Sequence, residues 1–354
     1  MADLRVKLGS DGGNEGSGDE PDRGQLVLVA GFALAVVLVA LVLLANTAIF
    51  TENLATRDNG VGERDVLGYR SSVVDGAGGI VDRENAVEYA DGERDLLEGN
   101  VSDGLAALDS QLRESAGRNA ASARADMESA AFTNGSLVRQ NGTAADPRQF
   151  TSTGSAENWT VATDLERAGD GNATRAFVAV VNTSSLANAS ASDPTDAFHV
   201  VVTNGTESWH AYVYENGSSG AVAVAVKSAG EPASATTQVC SVSAPNATVD
   251  FTGGSLGGVD CPGLAFGGDV AGSATTDGYD VLVRNGDRAA GGYDLTVRTA
   301  GSGSVSAGNV SATPSADEPY SVPAVYAIEF PIEYRTSEVT YAETVRVAPG
   351  ERDD

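Results

Sequence analysis

From Gln25 to Phe50 the chain carries no charged residue, and this run follows directly on Arg23-Gly24. A helix of about 25 residues, rising about 1.5 Å each, reaches roughly 37 Å and crosses a hydrocarbon core of about 30 Å. The segment is predicted to be a single transmembrane helix over residues 24–50. It exceeds a signal-peptide apolar region of about 7–15 residues, and no Ala-x-Ala site follows it, so retention as an anchor is favoured over removal. Residues 1–23 are Gly-rich and acidic, with almost no apolar residue after Leu8. They cannot bury enough surface to fold and are read as a disordered cytoplasmic tail.

Asparagines give the segment a direction. None before residue 95 lies in an Asn-x-Ser/Thr acceptor site, whereas Asn100, Asn134, Asn141, Asn158, Asn172, Asn182, Asn188, Asn204, Asn216, Asn246 and Asn309 all do. Chance would give roughly four such sites from this composition, and they mark surface positions of exported chains. The expected location is the cell membrane, crossed once, with the C-terminal part extracellular. Arg5, Lys7 and Arg23 on one side and Arg57, Arg64 and Arg70 on the other leave little positive-inside bias, so charge does not set the orientation.

Cys240 and Cys261 are the only cysteines, both on the outer side. They are read as a structural disulfide, with two free thiols as the alternative. A net charge of -27, from 49 acidic against 22 basic residues, argues against nucleic acid as a partner. Only Lys7 and Lys227 among the cations are lysine. The composition resembles that of proteins from salt-loving archaea, whose dense carboxylates stay hydrated while molar salt screens repulsion within about 3 Å.

Beyond the anchor, residues 51–149 read as a helical stalk or helical region. Val66, Tyr69 and Val73 share one helical face, Gly76, Gly78 and Gly79 interrupt the run, and Leu97, Val101, Leu105, Leu108 and Leu112 recur at three- and four-residue steps. From residue 150 to 354 the period becomes two, in runs such as Phe177–Val181, Phe198–Thr203, Trp209–Tyr214 and Ala221–Val226. Asn204-Gly205, Asn216-Gly217 and Asn285-Gly286 are hairpin signals between strands. A last hairpin pairs Val325–Tyr334 with Val339–Val347 across Arg335-Thr336-Ser337-Glu338, while Gly253–Gly258 and Ala300–Gly308 read as surface loops. The expected fold class is α+β: one N-terminal transmembrane helix extended into a helical stalk, then a β-rich, sandwich-like extracellular domain.

Catalytic patterns are weak. Gly253-Gly254-Ser255-Leu256-Gly257 fits G-x-S-x-G by letter, but no His follows residue 210 to serve the Ser. His199 and His210 could approach across the Asn204-Gly205 hairpin, yet a zinc site needs three or four ligands, so they read as ordinary strand residues. Asp193/Asp196 and Asp277/Asp280 could hold Ca²⁺ but read as solvated turn residues in so acidic a chain. The expectation is a non-enzymatic protein with no cofactor and no metal.

Arg23-Gly24-Gln25-Leu26-Val27-Leu28-Val29, the stretch Thr51–Arg57 and the closing Tyr334-Arg335-Thr336 with Val345–Gly350 resemble a haloarchaeal family of membrane-anchored, type IV pilin-like secreted proteins. The resemblance implies peptidase cleavage between Gly24 and Gln25, with the apolar helix then packing among other pilin-like subunits. The family's Glu five residues into the mature chain falls at Val29 here, so the carboxylate that pairs with a neighbour's amino terminus is missing. On this basis the chain is expected to be a single-pass surface glycoprotein, a minor pilin or accessory component of a pilus-like system. The alternative is a membrane-tethered extracellular module binding glycan, metal or solute.

Overall fold

Val66, Tyr69, Val73, Ala77 and Val81 recur every three or four residues and are all buried, which is the face expected of an amphipathic helix. The computed structural model describes residues 64–143, 145–166, 173–228, 238–265 and 278–351. Contacts gather Asp65–Asp354 into one unit. The expected tail (1–23), membrane span (24–50) and cut site Gly24-Gln25 lie outside the described residues.

Helix α1 covers residues 64–85 and α2 covers Arg94–Arg118. The glycines expected to interrupt α1 sit inside it. A Cβ on Gly76 would come within 2.9 Å of Leu108, and one on Gly104 within 2.8 Å of Ile80. Glycine therefore lets the two helices approach closely, which outweighs its conformational cost of about 1 kcal/mol.

The strands, in chain order, open with β1 (Ser122–Ala125), β2 (Ala131–Gln140), β3 (Arg148–Gln149), β4 (Trp159–Leu165), β5 (Thr174–Asn182) and β6 (Asn188–Ala189). They continue with β7 (Phe198–Thr203), β8 (Ser208–Asn216), β9 (Ala221–Ser228), β10 (Gln238–Val242), β11 (Asn246–Asp250) and β12 (Ser255–Leu256). The last are β13 (Val259–Asp260), β14 (Tyr279–Arg284), β15 (Ala290–Arg298), β16 (Ser304–Val305), β17 (Tyr320–Arg335) and β18 (Thr340–Val347).

Two sheets result. The first runs β1-β17-β2-β15-β5-β11-β12-β13, with β18 on β17 and β3 on β15; the second runs β10-β9-β8-β7-β14-β4-β16, with β6 on β8. Their facing sides form the main core, in which Phe150, Phe177, Leu295 and Val181 of the first sheet's side meet Trp159, Val200, Trp209, Val224 and Val281 of the second. A separate core lies between the helices and the distal half of β17, where Ile328, Phe330, Ile332 and Tyr334 alternate with exposed Glu329, Pro331, Glu333 and Arg335.

This arrangement corrects the expected fold. The β-rich domain is present, but the described helices, residues 64–85 and Arg94–Arg118, do not form a stalk. The helices cover β17 instead of extending alone, and β1 and β2 fall inside the stretch read as helical. Among the described residues no helix is long and apolar enough to cross a membrane. The reason the stretch misled is local: β2 carries Asn134-Gly135-Ser136 at its centre and acquires its partners only from β15 and β17, more than 150 residues further on.

Several pins join helices to sheet. Buried Asn85 donates from Nδ2 to Val325 O (3.0 Å) and accepts from Val325 N (2.9 Å), at the point where the β2–β17 register shifts. Arg94 donates to Ala324 O (3.1 Å) and Gly135 O (2.9 Å). Buried Arg175 donates to Val325 O (3.2 Å), Tyr326 O (3.0 Å) and Asp82 (3.1 Å).

Candidate functional site

Alternation along a strand sends successive side chains to opposite faces. Val200, Val202, Trp209, Ala211, Val226 and Val283 enter the core, so His199, Val201, His210, Tyr212, Lys227 and Arg284 share the other face of the second sheet. Register sets them in two rows. Arg284 lies opposite His199 and His199 opposite Tyr212; Val201 lies opposite His210 and His210 opposite Lys227.

The aromatic rings pack closely. His199 and Tyr212 have centroids 4.3 Å apart, His199 and His210 5.6 Å, and His210 and Tyr212 5.9 Å with planes only 11° apart. Lys227 Nζ stands 5.6 Å from the Tyr212 centroid, within cation–π range. His199 Nδ1 is 3.0 Å from Ala197 O. Because a carbonyl only accepts, Nδ1 carries the proton and Nε2 of the neutral ring keeps its lone pair. His210 Nε2 meets Ser208 Oγ at 2.9 Å, and its buried Nδ1 has no hydrogen-bond partner.

Cations crowd one end of this face, around His199 and His210. Burial pushes His199 down to about 4, helped by His210 and Arg284 and opposed by the bond to Ala197. Burial also lowers His210, with Arg284 and Lys227 adding to it, and burial lowers Arg284. Among the described residues no carboxylate lies within ion-pair distance of His199, His210 or Arg284. The contrast is with Arg139 on the first sheet, which pairs with both Glu88 and Asp294. Arg284 instead donates from Nη1 to the carbonyls of Val283 (3.1 Å) and Trp159 (3.4 Å).

The histidines expected to be ordinary strand residues do meet across the β7–β8 hairpin, and they do so as part of a larger cluster. Tyr212, Lys227 and Arg284 were not singled out. His210-x-Tyr212 on one strand and one of two lysines on the next were visible signals; Arg284 joins only through the β7–β14 pairing. Among the described residues no group of three or more His, Cys, Asp or Glu could hold a metal ion. Asp193 accepts from Thr195 Oγ1 (2.8 Å) and Asp280 from Asp164 N (3.0 Å), while Asp277 lies outside the described residues. Ser255 sits in β12 between β11 and β13, not on a strand-to-helix turn.

Cys240 and Cys261 form a disulfide. Cys240 belongs to β10 at the edge of the second sheet, and Cys261 follows β13 at the edge of the first, so the bridge clasps the two sheet edges together. Trp209 Nε1 adds a bond to Gly263 O (3.3 Å) just beyond the clasp.

None of the ten described acceptor asparagines is buried; Asn172 lies outside the described residues. Asn134, Asn141, Asn158 and Asn188 are exposed, and Asn100, Asn182, Asn204, Asn216, Asn246 and Asn309 partly so. Their amides differ in use. At Asn182, Asn204 and Asn216 the Oδ1 accepts a nearby backbone N–H, from Ser184 (3.0 Å), Thr206 (3.0 Å) and Ser218 (3.0 Å), while Nδ2 has no partner among the described residues. At Asn100, Asn141 and Asn309 the Nδ2 itself donates, to Tyr89 Oη (2.6 Å), Tyr320 Oη (2.8 Å) and Thr160 O (2.8 Å).

Residues 20–192 match a family of unknown function (DUF7261). The matched stretch ends just past β6, before the first residue of the cationic cluster and before both cysteines. No curated protein and no solved structure matches the chain.

Proposed function

We propose that this chain is a non-enzymatic cell-surface glycoprotein, tethered at a membrane through residues 25–50 with its two-sheet body outside. The observation that carries the reading is the distribution of acceptor asparagines. They begin only after residue 95, and none of the described ones is a buried residue. The disulfide supports it, because such bridges persist in oxidising compartments. A role as an accessory subunit of a pilus-like system rests on Arg23-Gly24-Gln25 and the apolar run behind it.

Peptide mass mapping of the protein isolated from its native cells tests this. Glycan mass on the acceptor peptides and cysteines that resist alkylation until reduced are the expected results. Bare asparagines throughout, or freely alkylated cysteines, would overturn it. A mature start at Gln25 would support the pilus role, and an intact Met1 would remove it.

One observation favours a second reading, a tethered binding module: the cluster of His199, His210, Lys227 and Arg284 around Tyr212. Soluble ligands retained by the purified chain would support that reading.

A further inference from the structure

We propose that the face formed by His199, His210, Tyr212, Lys227 and Arg284 binds an oxyanion, a sulfate or carboxylate group, borne on a saccharide or free in solution. The proposal deepens the second reading above and names its ligand class. Its first support is placement. The chain has 49 acidic side chains and only 22 basic ones, yet both histidines, one of its two lysines and an arginine converge on a single sheet face. Surface repulsion between carboxylates does not require this, since cations spread among them would serve better.

The second support is an unmet electrostatic cost. Arg284 is partly buried and donates from Nη1 only to backbone carbonyls. The histidine rings beside it are held neutral by burial first and then by the neighbouring cations, Arg284 for both and Lys227 for His210, with no carboxylate in ion-pair reach among the described residues. An oxyanion seated here would accept charge-assisted hydrogen bonds from Arg284 and favour the protonated form of His210, whose buried Nδ1 has no partner. The third support is order: His199 and Tyr212, each only 9 % exposed, stack against His210 and hold its ring in place beside Lys227 and Arg284.

Nearby acidic groups do not defeat the site. Asp280, the carboxylate on the same face of β14, lies opposite Thr203 and already accepts from Asp164 N. Glu207 belongs to the β7–β8 turn, where it closes a backbone bond with Asn204.

Because the chain has only two histidines, ¹³C-histidine labelling of the full chain gives one NMR signal for each. Three titrants separate the sources: sodium sulfate, a sulfated oligosaccharide, and its unsulfated parent. Saturable movement of both signals with the sulfated sugar, and none with the parent, is expected. Equal response to free sulfate means the site takes the anion alone; a much tighter response to the sulfated sugar means the ring contributes. Arg284→Gln and, separately, Lys227→Gln should each weaken the response about tenfold, the loss expected for one charge-assisted contact. Native dispersion of the two signals shows whether each variant folds. Still signals with all three titrants, equal response to the neutral parent, or two folded variants that titrate like the unaltered chain would overturn the proposal. Bare acceptor asparagines in the mass mapping would sink the glycoprotein reading without touching this result.

Discussion

Asn85 treats the backbone of Val325 as a neighbouring strand would, accepting from its N–H and donating to its C=O. The amide thus fills a gap in the β17 ladder where the register with β2 slips. Asn85→Ala leaves the Val325 N–H buried without a partner, since the carbonyl alone retains Arg175. The expected cost is about 2–3 kcal/mol. It should appear as a lower denaturant midpoint with unchanged slope, whereas a change in slope alone would mean the helices are not fastened to the sheet this way.

Acid should weaken the fold through His199 before it reaches the carboxylates. Its folded value, about 4, lies below the ordinary 6.5, so the unfolded chain takes up the proton first as pH falls. Stability is complete above about pH 6.5, declines towards pH 4 and levels off below it, a loss on the order of 3 kcal/mol. His210 shifts in the same direction. Glu84 is held below its ordinary 4.5 by its bond from Arg83, so its loss comes later, as pH falls through that lower range. Unfolding curves between pH 4.5 and 7 for the chain and for His199→Gln check this; an undiminished slope in the variant would count against it.

Reducing the Cys240–Cys261 bridge frees a link across 21 residues and should cost about 3 kcal/mol by loop entropy. Melting with and without reductant measures it. Since the bridge joins two sheet edges, proteolysis of the reduced protein should begin near β10 and β13, and cleavage first in the helices would contradict that.

Glycan occupancy should divide the acceptor sites. Asn182, Asn204 and Asn216 present an uncommitted Nδ2, whereas Asn100, Asn141 and Asn309 spend theirs on bonds within the body. Site-resolved glycopeptide analysis should find the first group modified and the second bare. Full occupancy at Asn100, whose amide is bonded to buried Tyr89, would refute the division.

Turns were more legible than partners. Asn204-Gly205 and Asn216-Gly217 join β7–β8 and β8–β9 as hairpins, and the closing hairpin forms over a shorter span than expected, with Ile328–Arg335 paired to Thr340–Val347 while Val325 pairs with β2. Asn285-Gly286 turns as expected, with Asn285 at φ 51°, but it carries the chain from β14 in one sheet to β15 in the other. Local chemistry reverses a chain without saying which sheet receives it; here Gly286 bonds to Glu157 and Phe150, residues far away in sequence. Gly253–Gly258 and Ala300–Gly308, read as loops, each contribute a two-residue strand, too short for any period to show. The cationic face was half visible, since three of its members are on one hairpin, while Arg284 depends on a pairing 85 residues away from His199.

Asn85, Arg94 and Arg175 fasten the helical layer near the middle of β17, a strand of 16 residues held by β2 along one stretch and β18 along another. A pull arriving from the N-terminal side would therefore load those ladders in shear, so that many bonds must fail together instead of opening one at a time from an edge. Mechanical toughness against tension, as distinct from thermal stability, follows from where three polar side chains grip one strand.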